Sequence, residues 1–174
     1  MFTTTVDTDE IQLLIADLAS EDWRTRQEAR HSLVRLGSRA VAPLIKALGE
    51  SNNSYWALRW EAAKALGEIA DPVAAPALLR ALEDERDGIR WLAAEGLIAM
   101  GRGGLLPLLE ALVHRSDSGR LRAGAHHVLR QWVERDPQGI IIPVLKALED
   151  IEPVIQVPPA AQAALDALTG AKKA

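Results

Sequence analysis

The sequence predicts an all-α solenoid of five helix pairs, and three observations predict it. A short apolar motif recurs five times without gaps: "LIADL" at 14–18, "LIKAL" at 44–48, "LLRAL" at 78–82, "LLEAL" at 108–112 and "VLKAL" at 144–148. Each copy is followed by a polar break and a second motif whose apolar residues fall at helical spacing. No stretch sustains the period-2 alternation of a half-buried strand. Spacings of 30, 34, 30 and 36 residues between copies are those of a helical repeat array, in which each unit buries its apolar face only against its neighbours.

The elements follow in order. "DTDEIQLLIADLAS" opens the chain with a polar cap. The second motif reads "TRQEARHSLVRL" from Thr25, "LRWEAAKALGEI" from Leu58, "IRWLAAEGLIAM" from Ile89 and "LRAGAHHVLRQW" from Leu121, with a degenerate copy, "PPAAQAALDAL", from Pro158. Asp22, Ser54, Asp87 and Ser118 stand where N-caps of the second helices belong. Gly37 and Gly101 stand where C-caps belong. Pro43, Pro76, Pro107 and Pro143 are expected in the first turns of first helices, where a missing N–H costs little. "GRGG" at 101–104 reads as a linker, and Ile140–Ile142 with Pro143, together with "IQVPPA", as the most irregular junctions. The solenoid is expected to span residues 7–170, with flexible termini at 1–6 and 171–174.

Composition narrows the function classes. The 174 residues are 48% hydrophobic and 25% charged, which is globular, and the absence of cysteine excludes disulfides and thiol chemistry. No signal peptide or membrane-length apolar run is evident, so a cytoplasmic location is the default. A net charge of -4 argues against a nucleic-acid partner. Five tryptophans beside one Phe and one Tyr are out of proportion in a core of Leu, Ala, Ile and Val.

The second motif, hydrophobic–Arg–x–x–Ala–Ala–x–Ala–Leu–Gly, is carried by Leu58, Arg59, Ala62, Ala63, Ala65, Leu66 and Gly67. With "PLIKAL" at 43–48 it resembles the HEAT-like repeats of the phycobilisome-lyase type, over residues 9 to 168. The resemblance implies a right-handed α-α superhelix whose second helices line the concave surface. It also implies that the motif's Arg, recurring as Arg26, Arg59, Arg90 and Arg122, pairs with acids between repeats rather than forming an anion ladder.

At about 100° per residue, Leu58, Ala62, Ala65, Leu66 and Ile69 share one face, while Trp56, Trp60, Lys64 and Glu68 point away from it. Aligned units place Trp23 in the column of Trp56 and Trp91 in that of Trp60. Lys64 shares a column with His31, Glu95 and His127, and Glu61 with Glu28 and Leu92. Trp132 aligns with Leu36, Ile69 and Met100 and belongs to the core. An exposed aromatic patch marks an interaction site, and mixed surrounding charge, Arg24, Arg35, Lys64 and Arg120 against Glu28, Glu61, Glu68, Asp87 and Glu95, suits a protein or peptide. The alternative is that the indoles pack between repeats.

Catalytic signatures are lacking. His31, His114, His126 and His127 have no metal-ligand spacing. Deoxyhypusine hydroxylase has similar repeats with His–Glu iron ligands, but those positions here hold Gln27-Glu28, Trp60-Glu61, Trp91-Leu92 and Ala123-Gly124. "NNSYWALRWEAAKAL" is similar to repeats of phycobilin lyases, whose function would require a linear tetrapyrrole in the Trp-rich groove. The sequence therefore leads to a non-enzymatic module that grips a protein or peptide through Trp23, Trp56, Trp60, Glu61, Lys64, Trp91, Glu95 and His127, with no metal, cofactor, nucleic acid or membrane. The alternatives are a phycobilin-lyase-like protein or lyase subunit, and a self-associating scaffold.

Overall fold

The computed structural model describes residues 3–170 and contains ten α-helices. They are α1 (Thr3–Asp17), α2 (Trp23–Leu36), α3 (Ser38–Leu48), α4 (Trp56–Ile69), α5 (Ala75–Ala81), α6 (Asp87–Ala99), α7 (Arg102–His114), α8 (Gly119–Trp132), α9 (Ile142–Leu148) and α10 (Pro153–Thr169). Single 3-10 turns precede α4 and α5 and follow α8. Residues 1, 2 and 171–174, part of the expected flexible termini, lie outside the described residues, whereas residues 3–6 belong to α1.

The first four pairs stack as a two-layer α-solenoid. α1, α3, α5 and α7 pack successively in one layer, and α2, α4, α6 and α8 in the other. The core between them is the predicted face: Ala62, Ala65, Leu66, Ile89, Leu97, Leu121 and Leu129 are fully buried. The final leucines of the first motif, Leu18, Leu48, Leu82 and Leu112, are buried with them.

At its closest, the second layer is backbone against backbone. A Cβ on Gly67 of α4 would lie 3.1 Å from the Cα of Gly96 on α6, so the two helices meet where neither has a side chain. The α2–α4 contact is ionic instead. Arg30, where other units carry Ala63 and Ala94, is buried, and its guanidinium bonds Glu61 at 3.0 Å and also Glu68.

The motif arginine acts chiefly on the backbone of the loop before its own helix. Arg26 donates to Ser20 O and Glu21 O, Arg90 to Asp84 O and Glu85 O, and Arg122 to Ser116 O and Asp117 O. Arg59 reaches Glu50 O and Asn52 O and pairs with Asp84 of the next unit at 3.0 Å. Each guanidinium thus ties down carbonyls of the turn before its helix. Pairing with acids between units, the expected role, is seen for Arg59 and, at 3.7 Å, for Arg26 with Glu61.

Several local expectations change. Asp22 and Ser118 cap α2 and α8 as expected. Ser54 does not cap α4, because Asn52 caps the 3-10 turn that precedes it. Asp87 lies inside the first turn of α6, after the N-cap Arg86. Gly37 ends α2 with φ +60°, and Gly101, with the same φ, ties α6 to α7, so that the rest of "GRGG" is already helical. Pro76 and Pro143 occupy first turns, whereas Pro43 and Pro107 lie one turn further in.

The fifth pair departs most. Its second helix starts at Pro153, so "IQVPPA" is a helix interior rather than a junction. Pro158 cannot bond the carbonyl of Val154. Ser116 Oγ, from the α7–α8 loop, donates to that carbonyl at 3.1 Å instead. The layers also exchange. α9 packs on α8, and α10 packs on α7, antiparallel to it, with Val154 beside Ser116 and Leu168 beside Arg102.

Candidate functional site

Trp56 and Trp60 stand one turn apart on α4, and together they wall two adjoining depressions. One, of about 340 Å³, is completed by Arg26, Ala57 and Glu61. The other, of about 370 Å³, is completed by Glu85, Arg86, Asp87 and Gly88 at the start of α6.

The two indoles differ. Trp60 is half-buried and packed against the core. Its ring lies over Gly88, where a Cβ would come 2.0 Å from Cζ3, so only glycine admits the ring. Trp56 is exposed, and its ring stacks under the Arg86 guanidinium at 5.0 Å from the centroid. That guanidinium makes no hydrogen bond or ion pair among the described residues. The cleft therefore combines a fixed indole, an accessible indole and a stacked guanidinium beside the acids Glu85 and Asp87, which suits a flat conjugated ligand.

The other predicted residues are distributed around this cleft. Glu61 lines it but is held by Arg30 and lies 3.7 Å from Arg26. Lys64 is exposed on the same helix. Glu95 and His127 do meet, at 2.7 Å, so the column alignment holds between α6 and α8. Trp23, stacked with its neighbour Arg24 at 5.5 Å, and Trp91 are exposed but line neither depression.

Two contributors were not singled out from the sequence. Arg86 and Gly88 sit in the loop and first turn before the α6 motif, outside the repeated residues. The Arg-for-Ala exchange at Arg30 is visible as a break in the motif, beside two acids two turns apart on the next unit. Trp132, placed in the core by alignment, is half-buried against it, and its Nε1 is buried without a hydrogen-bond partner.

A model of HEAT repeats matches residues 51–130, the span from the loop before α4 to the body of α8. Over that span the chain carries HEAT-like repeats. The chain is similar to the solved complex of CpcE and CpcF of phycocyanin lyase from Nostoc sp. PCC7120, at 25% identity and a TM-score of 0.57. The match covers 91% of this chain and 99% of the matched one. No curated protein matches it significantly by sequence. The expectation of a non-enzymatic scaffold is corrected by the structural match: the similar protein is part of a lyase, and the similarity runs through nearly the full length of both chains. Composition and helical pattern could not reveal this, since the same repeat serves scaffolds and enzymes alike.

Proposed function

We propose that this chain is a phycobilin-lyase-like protein, a lyase or lyase subunit that holds a linear tetrapyrrole and works with a protein partner. The observation that carries the reading is the near full-length similarity to a chain of a phycocyanin lyase complex. The α4–α6 cleft supports it. An open tetrapyrrole is a flat conjugated chain with propionate side groups, so it needs aromatic surface and a cation. Trp60 and Trp56 supply the surface, and Arg86 supplies a cation for a propionate. Trp23 and Trp91, exposed outside the cleft, are then anchors for the protein partner, with Glu95 and His127 at the edge of the same surface.

Titration with biliverdin tests the reading. The expected result is a saturable change in bilin absorbance with quenching of tryptophan fluorescence, weakened at least tenfold by Trp56→Ala combined with Arg86→Gln, at unchanged helical circular dichroism. An unchanged spectrum in the wild-type protein, or equal binding by the double variant, would overturn it.

A further inference from the structure

A second cavity, of about 450 Å³, lies where the fifth pair departs from the repeat. It shares no residue with the Trp56–Trp60 cleft. α7 contributes Leu105, the end of α8 contributes Trp132, and α10 contributes Leu168. The α8–α9 loop closes it with Ile140 and Ile141, held in place as the Ile141 N–H donates to Asp136 Oδ2 at 2.6 Å. The walls are thus mainly aliphatic. Leu105 and Ile141 are each only 1% exposed, so the cavity reaches the core.

Two guanidinium groups border this apolar space. Arg102 uses one nitrogen to bond Leu168 O at 2.9 Å, leaving its remaining N–H groups available. Arg135 makes no hydrogen bond or ion pair among the described residues. Against these two cations stands one acid, Asp136. Gln138 also lines the cavity, and the Trp132 indole N–H is closed off from solvent and unpaired. Such a group calls for an acceptor that the protein itself does not provide.

We propose that this cavity binds a small aliphatic carboxylate, with the chain against Leu105, Ile141 and Leu168 and the carboxylate between Arg102 and Arg135. Trp132 lines the cavity, so its indole N–H reports occupancy. Binding at this site is independent of the tetrapyrrole reading.

The test uses decanoate on the full chain, read by the five indole N–H resonances in a nitrogen-15 spectrum, with Trp132 assigned through Trp132→Phe. The expected result is a saturable shift confined to the Trp132 resonance. Decanol, of equal length but uncharged, should bind at least tenfold more weakly. Arg135→Gln, at an exposed position that folding does not require, should weaken decanoate at least fivefold, and Arg102→Gln should do likewise. A stationary Trp132 resonance, an equal response to decanol, or undiminished binding by both arginine variants would overturn the proposal. A shift seen only at Trp56 and Trp60 would overturn it as well, since decanoate would then occupy the other cleft.

Discussion

The middle of the solenoid and its last pair are made of the same kind of helix, yet they assemble differently. From α3 to α8 each helix packs on its counterpart two elements earlier, and the layers keep their order. There Ala62, Ala63, Ala93, Ala94, Gly67 and Gly96 keep side chains short, so adjacent helices approach closely. In the last pair Pro158 and Pro159 sit inside the helix, Ile151 and Ile155 face solvent, and α10 lies antiparallel against α7. Small residues let helices approach closely but do not by themselves choose the neighbour: α10 also buries Ala161 and Ala164, yet it packs on α7 rather than on α8.

Core truncation should separate the two regions most. Leu97→Ala, at a fully buried position of α6, is expected to cost about 2–5 kcal/mol. Ile155→Ala, on the exposed side of α10, should cost less than about 0.5 kcal/mol. Chemical denaturation of both variants checks this, and equal losses would erase the distinction.

Arg59→Ala comes next, at about 3 kcal/mol, because it removes a buried cation, leaves Asp84 unpaired and frees two loop carbonyls. Its counterpart at the end of the chain is Ser116→Ala, which takes away the substitute donor to Val154 O and should cost about 1 kcal/mol. Hydrogen exchange sharpens the contrast: the Arg59 variant should loosen the α3–α4 loop and global stability together, the Ser116 variant only the first turns of α10.

Gly67→Ala tests close packing directly. Its new methyl would press on Gly96, so a net loss of about 1–2 kcal/mol is expected despite the better helix propensity of alanine. A thermal melt showing stabilisation would mean that the α4–α6 contact is looser than described.

The smallest effect belongs to Asp22. Its carboxylate accepts from the Thr25 hydroxyl and from the backbone N–H groups of Thr25 and Arg24, which holds its pKa below the ordinary aspartate value. A depressed folded-state pKa contributes stability that is present above the unfolded value and lost as pH falls through the folded one. Asp22→Asn should therefore flatten the acid side of the stability–pH curve slightly, and urea titrations across that range would show it.

Local pattern was enough to place the helices, because apolar spacing and turn chemistry act within a few residues. The five pairs, the buried face of α4 and the capping roles of Asp22 and Ser118 were all legible in that way. So was the pairing of Trp56 with Trp60, since one turn of helix brings them together. What no local pattern contains is the identity of the surface met across the chain. Arg30 finds Glu61 and Glu68 in the next unit, Trp60 finds the gap left by Gly88, and Val154 finds Ser116 38 residues away. Amphipathicity decides which face of a helix leaves water. Shape and unpaired polar groups decide what that face meets, and those became fixed only when the helices packed: in the middle they reproduced the repeat, and at the end they exchanged the layers.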